Sequence, residues 1–333
     1  ECVTHGWTVD GEGKAMHKSA GNGMDPAEVI DKYGADILRL WAANTDYHAD
    51  VRCSHEIFKQ LSQNYLKFRN TARYCLGNLD GFDPNHLTAP GEMEELDRWA
   101  VTRLNALMEK CFAAYDEYEF LAATHAVNDF CVVDMSNFYL DVIKDRLYCD
   151  EKDGAPRRSA QTALYLILDT MTRIMAPILC FTCDEIWQAM AHREGDDARN
   201  VLFNDMHQPF ADYALDDAAM ERWAVIEALR DKVNAALEAA RSEKKIGKSL
   251  EAAVTVTVPE AEGWLAETPN LADLLIVSQV TVQTGSEAAV EVRKAEGGKC
   301  ERCWKVLPAV GADAEHPGLC PRCAAAVRSL PQF

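Results

Sequence analysis

The chain has 333 residues, 48% of them hydrophobic and 26% charged, a globular composition that can bury a large core in about two or three domains. No apolar run approaches the ~18 residues of a membrane span, and no signal peptide precedes a chain that opens on Glu1, so a cytoplasmic protein entered partway along its length is expected. Its 34 Lys and Arg against 53 Asp and Glu give a net charge of −19, which excludes wholesale coating of nucleic acid but permits a local basic patch.

Residues 1–50 are Gly-rich and then helical. The stretch from Val9 to Asn22 carries Gly11, Gly13 and Gly21 with Lys14 and Lys18. Such a loop suits a polyphosphate through its cations and backbone N–H groups, although most Gly/Lys loops are simply solvated. Asp25-Pro26-Ala27-Glu28 reads as a helix start, with an Asp cap, Pro in the first turn and Glu three residues after the cap. That helix should stop at Gly34. Asp36 is expected to cap a second one carrying Ile37, Leu38, Leu40 and Trp41.

Residues 55–245 read as nearly all helix. Leu96, Trp99, Ala100, Leu104, Leu107, Met108, Cys111 and Phe112 form one apolar stripe. Similar stripes recur near 56–77, 120–147, 159–192 and 216–242. Asn78–Gly81, Lys152–Gly154 and Glu194–Asp197 break them, and Pro177 should kink or split the stretch that holds it. Long helices joined by short polar turns predict a bundle.

The pattern changes near residue 250. Ala253–Val258 and Val277–Val282 have the period of strands, a helical stretch runs from Gly263 to Leu275 between them, and Val290–Val292 adds a third strand. The fold class is therefore mainly α, with a small α/β unit and a separate terminal module. Cys300 and Cys303 form one C-x-x-C, and Cys320 and Cys323 another after sixteen intervening residues. Two such knuckles can close a tetrahedral four-thiolate Zn2+ site, and four protein ligands leave no open position, so one structural zinc is expected. The competing reading is two reduced pairs without metal. His316, inside the intervening loop, reads as a surface residue. Cys180 and Cys183 lie in apolar helix and read as small core residues, as do the remaining unspaced cysteines.

Several stretches together resemble one family. Thr4-His5-Gly6-Trp7 and Ser19-Ala20-Gly21-Asn22 bracket the loop, and Gly34–Trp41 with Thr45-Asp46-Tyr47 follow it. Further along come Arg69–Arg73, Phe138–Arg146 and Met175–Leu179, and the chain closes on Cys300–Trp304 and Cys320–Cys323. This combination is similar to class I aminoacyl-tRNA synthetases of the bacterial isoleucyl type, from the KMSKS-like loop to the C-terminal zinc module. Valyl, leucyl and methionyl relatives are the near alternatives, and the four-thiol tail favours isoleucyl.

The resemblance implies a Rossmann-type catalytic end over 1–52, an anticodon-binding bundle over 53–215, a junction helix and α/β subdomain over 216–292, and the zinc module over 293–333. It implies that Lys18 is the catalytic lysine and that Met16, His17, Lys18 and Ser19 meet ATP, with Mg2+ accompanying the nucleotide. Ala15 stands where the family has the first Lys of its motif, with Lys14 beside it, and His17 stands where the family has Ser. The HIGH sequence and the editing domain of a full synthetase are not found, so this stretch is not expected to aminoacylate alone. The implied partners of the full enzyme are isoleucine, ATP and tRNA(Ile), and a monomer is expected.

RNA contact is implied for Arg69 and Arg73 on one helix, for Arg241, Lys244, Lys245 and Lys248 at the exit of another, and for Arg302 and Trp304 on the first knuckle. The tail from Arg293 to Phe333 carries seven Lys and Arg against four acids. Splayed bases would stack on an aromatic or Arg plane such as Trp304. Each residue has a plainer alternative: Trp304 as core of a small module, Arg69 and Arg73 paired to bundle carboxylates, and the Lys/Arg helix as a solvated face. Two other classes of function compete: a stand-alone zinc-ribbon RNA-binding or scaffold protein, and a dithiol oxidoreductase using Cys180 and Cys183.

Overall fold

A computed structural model of the chain describes residues 2–330; Glu1 and residues 331–333, the outer ends of the first and last expected segments, lie outside the described residues. In chain order, β1 (Thr8–Val9) precedes α1 (Pro26–Tyr33) and α2 (Ala35–Ala43), then β2 (Val51–Arg52), α3 (His55–Asn78), α4 (Glu95–Asp116) and α5 (Phe120–Asp129). A π-helical segment, Phe130–Tyr139, leads to α6 (Leu140–Val142) and α7 (Lys144–Cys149). The long helices α8 (Ala155–Met175), α9 (Cys180–Ala189) and α10 (Asp217–Ser242) follow. The remainder holds β3 (Ala252–Val258), α11 (Leu271–Leu274), β4 (Gln279–Thr284), β5 (Ala289–Lys294), β6 (Gly298–Lys299), β7 (Val306–Leu307) and α12 (Pro321–Arg328). Among the described residues, no helix is long and apolar enough to cross a membrane.

Contacts divide the chain into two compact units, residues 1–139 with 158–214, and residues 140–157 with 215–333. In the first unit the helices are buried along the expected stripe: Leu96, Trp99, Ala100, Leu104, Leu107, Met108 and Cys111 of α4 are all buried. Asp25 accepts from the Ala27 N–H and caps α1, and α1 ends at Gly34, whose φ of 92° favours glycine.

Two expectations are corrected here. Asp36 does not cap its own helix; Gly34 occupies that position. The Asp36 carboxylate instead reaches α9, accepting from the Thr182 N–H at 2.7 Å, the Thr182 hydroxyl at 2.6 Å and the Phe181 N–H at 3.3 Å. One residue supplies the cap for a helix distant in sequence, which local pattern cannot reveal. The stripe over 120–147 is likewise not one α-helix. Its middle turns to π geometry, in which the Ser136 hydroxyl donates to the Cys131 carbonyl five residues back.

Pro177 splits the apolar stretch between α8 and α9. Carbonyls freed at the split are satisfied by Arg39, which donates to Pro177 and Ile178 at 2.7 and 2.9 Å. Asp36 and Arg39 of one short helix thus hold both sides of that break.

In the second unit, β3 is central, parallel to β4 and antiparallel to β5. Val254, Val256 and Val258 of β3 are buried, as a central strand requires. The helical stretch expected between the strands is made of a 3-10 segment, Glu260–Glu267, and the short α11. β6 and β7 form a small hairpin that carries the first cysteine knuckle at its tip.

Candidate functional site

The N-terminal loop is ordered by its own side chains. β1 pairs in parallel with β2, and Val9 bridges to Ala15 across the turn. Asp10 accepts from the N–H groups of Glu12 and Lys14 at 3.0 and 2.8 Å, and from the Asn22 amide at 2.8 Å. Asn22 also donates to the Ala15 carbonyl and accepts from the His17 N–H at 2.9 Å. The bond from Asn22 is the main reason the Asp10 carboxyl lies below its ordinary range. Lys18, Ser19 and Ala20 make one 3-10 turn closed by Gly21 at φ 65°. Met16 faces inward onto the cluster of Val29, Ile37, Cys53 and Phe58, while His17, Lys18 and Ser19 are exposed. The loop therefore has one half-buried anchor and presents the next three side chains to solvent. Lys14 is paired to Glu12 at 2.7 Å. Asp10 and Asn22 do work that sequence reasoning did not assign to them; the Asp-Gly turn and the terminal Asn were the available signals.

The four terminal cysteines come together. All are buried, and their sulfurs lie within 4.8 Å of one another. The Cys303 and Cys320 sulfurs are 3.9 Å apart. Tetrahedral Zn2+ with Zn–S near ~2.3 Å requires sulfur pairs about 3.8 Å apart, so the donor set fits zinc. Gly297, at φ 116°, lets the hairpin close; a Cβ there would sit 2.3 Å from the Leu307 backbone. Burial raises the Cys303 thiol to about 12, with Cys300 and Cys320 adding to the rise. At Cys300 the N–H groups of Cys303, Cys320 and Arg302 outweigh burial and bring the thiol down to about 6. Without a cation, thiolates this close oppose one another; a divalent ion removes that opposition. His316 is half-buried and is not part of the cluster.

The tail's positive excess is largely committed to ion pairs. Arg328 pairs with Asp313 and Glu315, Arg293 with Glu296, Arg322 with Asp145 and Asp150, and Lys305 with Asp145 and Asp273. Trp304 is not core: it is 57% exposed, at φ 64°. The Lys248 ammonium sits 5.6 Å from its ring centroid. Arg302 donates to the Tyr148 carbonyl at 3.3 Å, and its Nε is buried without a partner.

The other candidate cations are placed less evenly. Arg241 is held by Glu238 and by the Ser249 hydroxyl, and Lys245 by Glu243 at 2.7 Å. Lys244 is exposed at φ 60°. Arg230 belongs to no solvated face. It is buried, donating to the Leu274 carbonyl and to Asp141, and burial lowers its pKa. In the first unit, Arg69 is paired in bidentate fashion to Glu185 at 2.9 Å and donates to the Tyr65 hydroxyl at 3.1 Å, so the plainer alternative describes it. Arg73 is exposed on the same helix. Cys180 and Cys183 are free thiols, and burial pushes Cys183 well above its ordinary value, which suits an inert core residue.

Three family models match the chain: tRNA synthetases class I (I, L, M and V) over residues 1–54, the anticodon-binding domain of tRNA ligase over 97–256, and the zinc finger found in FPG and IleRS over 297–326. The isoleucine–tRNA ligase of Geobacter sulfurreducens is 48% identical over 98% of this chain and 36% of its own length. That of Syntrophotalea carbinolica is 48% identical over 97% of this chain and 36% of its own. Among solved structures, agnB2 LeuRS of Agrobacterium radiobacter K84, in a LeuRS-tRNA-LeuAMS ternary complex, is similar at 16% identity with a TM-score of 0.48, over 76% of this chain and 25% of that one. The chain spans about a third of the length of the curated relatives it matches, and along nearly all of its own length it belongs to the isoleucine–tRNA ligase family of class I tRNA synthetases.

Proposed function

We propose that this chain serves an isoleucine–tRNA ligase as its nucleotide loop, its tRNA-binding region and its structural zinc module. The ligase activates isoleucine with ATP and Mg2+ and transfers it to tRNA(Ile) in the cytoplasm, as a monomer. Residues 1–52 close the catalytic domain, 53–215 form the anticodon-binding bundle, 216–292 the junction and α/β subdomain, and 293–333 the zinc module. The chain spans about a third of its relatives' length, so the charging reaction is proposed for the complete ligase and not for this stretch by itself.

Lys18 is the catalytic residue of this portion. Negative charge builds on the triphosphate as the isoleucine carboxylate attacks the α-phosphate and pyrophosphate departs. A cation aimed at that position is worth most where the charge develops. Support comes from the loop: Met16 anchors it, Asp10 and Asn22 brace it, and His17, Lys18 and Ser19 are left facing outward for ATP. At the other end, Zn2+ on Cys300, Cys303, Cys320 and Cys323 supplies folding energy to a module with little core of its own. Trp304 and Lys248 offer an aromatic plane with a cation beside it, the combination that holds an unstacked base beside its phosphate, and Arg302 is a further candidate contact on the same knuckle. Lys244 is exposed at the exit of α10, where Arg241 and Lys245 are shared with Glu238 and Glu243, and Arg73 on α3 is a separate tRNA contact of the first unit. Arg69 serves the bundle first, through Glu185.

The observation that carries the reading is the exposed Trp304 plane on a zinc knuckle with Lys248 beside it. Lys18→Ala in the complete ligase should slow isoleucine-dependent pyrophosphate exchange roughly 100- to 1,000-fold without change in helical content. Unchanged exchange would remove Lys18 from the mechanism.

A further inference from the structure

The stretch Phe138–Arg146 is distinctive in sequence, yet none of its residues has a place in the nucleotide loop or the metal site. Its two aspartates, four residues apart, each reach a different later element. Asp141 accepts from Arg230 of α10 at 3.4 Å. Asp145 accepts from Arg322 through both oxygens, at 2.5 and 2.8 Å, and lies 3.3 Å from the Lys305 ammonium. Arg322 immediately precedes ligand Cys323, and Lys305 follows ligand Cys303 by two residues. Each knuckle thus contributes one cation, and the two converge on a single carboxylate. Asp150 takes a second contact from Arg322 at 3.3 Å, and Asp273 a second from Lys305. The Cys149 thiol and the Tyr148 carbonyl engage the main chain and guanidinium of Arg302 between them.

The Asp145 side chain is 21% exposed and that of Lys305 13%, so solvent screens the pair far less than it screens a surface bridge. A bidentate Arg–carboxylate contact fixes orientation as well as distance. The knuckles could close on zinc without any of this, because four thiolates suffice for the metal. What Asp145 adds is a defined direction in which the closed knuckles, and Trp304 and Arg302 on them, face.

We propose that Asp145 is a positioning residue for tRNA recognition: it binds one cation from each knuckle and so sets the orientation of the zinc module on α7. This rests on the reading of Trp304 as an RNA contact.

The test uses the complete ligase and Asp145→Asn, which keeps the shape and removes the charge. The expected result is one zinc per chain, pyrophosphate exchange equal to wild type, and a KM for tRNA(Ile) raised about 10-fold, with faster hydrogen exchange across residues 300–328. Asp145→Glu should restore most of the loss. Combined with Trp304→Ala, Asp145→Asn should add little, because both remove the same contact. Wild-type hydrogen exchange in Asp145→Asn overturns the pin, whatever Trp304 does. Full additivity of the two substitutions also overturns it, since Asp145 would then act elsewhere. A pinned module whose Trp304→Ala variant keeps the wild-type KM would instead defeat the RNA reading of Trp304, and with it the recognition role of Asp145. Should Asp145→Asn lose zinc, Lys305→Gln leaves the Arg322 contact intact; it should raise the tRNA KM alone by a smaller factor, and a wild-type KM there counts against the proposal.

Discussion

The Lys248 ammonium lies over the exposed face of Trp304, 5.6 Å from the ring centroid, joining the exit of α10 to the tip of the zinc knuckle. At an exposed site such a cation–π contact is worth about 0.5–1 kcal/mol. Its arrangement suits a base on the ring and a phosphate on the ammonium. Lys248→Ala should therefore flatten the dependence of log K on log salt for tRNA(Ile) by roughly 0.7–0.9, the share of one phosphate. Trp304→Phe should keep most of the affinity and all of the salt slope. Filter binding over a potassium chloride series checks both, and a slope unchanged by Lys248→Ala would remove its phosphate contact.

Asn22 is expected to matter for the loop without touching nucleotide, though less than Lys18. It braces Asp10, Ala15 and His17 at once. Asn22→Ala frees the turn that aims Lys18, so pyrophosphate exchange should fall roughly 10-fold, on the scale of about 1.4 kcal/mol for misplaced positioning groups. Circular dichroism should stay unchanged. Exchange at the wild-type rate would show that the brace is dispensable.

Metal removal should act locally. With zinc chelated, or with Cys320→Ser, residues 297–326 should lose amide protection, because metal binding is most of that module's folding energy. The helices of the first unit have their own buried core and should keep their ellipticity. A module equally protected with and without zinc would contradict a structural metal.

The bundle should carry an acid-sensitive contact at Asp169. Its carboxylate is buried, 2.7 Å from His207 Nε2 and 2.7 Å from Arg173 Nε. Burial opposes its ionisation, but His207 and Arg173 outweigh burial and hold the carboxyl below its ordinary value. A depressed folded pKa means the contribution is complete above the unfolded value near ~3.9 and is lost as pH falls through the folded value. Asp169→Asn should cost about 1–3 kcal/mol at neutral pH, because Arg173 loses its Nε partner but keeps Asp196 and the Asp205 carbonyl. It should also flatten the acid limb of stability below about pH 4. Urea melts at pH 3 to 7 would show it, and parallel wild-type and variant curves would assign the acid limb to other groups.

The helices were legible because each buries a stripe at helical spacing, as α4 does from Leu96 to Cys111. The four-cysteine cluster was legible because its spacing is itself the geometry of two knuckles. What escaped was long-range. Asp36 capping α9, Arg39 satisfying the split at Pro177, and Asp145 gathering Arg322 and Lys305 all join residues more than a hundred positions apart. Counting charges along the tail overstated what is available to RNA for the same reason: the acids that neutralise Arg322 and Lys305 lie elsewhere in the chain. The π segment over Phe130–Tyr139 reads in sequence as ordinary helix, because its apolar residues alone do not report hydrogen-bond spacing.

The most direct measurement is charging of tRNA(Ile) with isoleucine by the complete ligase, wild type beside Trp304→Ala, with pyrophosphate exchange followed on the same preparations. The predicted result is wild-type exchange in both and a KM for tRNA(Ile) raised at least about 10-fold in the variant, the scale of one lost base–aromatic stack. Equal KM values, or a wild-type enzyme that activates isoleucine but leaves tRNA(Ile) uncharged, would contradict the division of labour between the lysine loop and the zinc-bound tail.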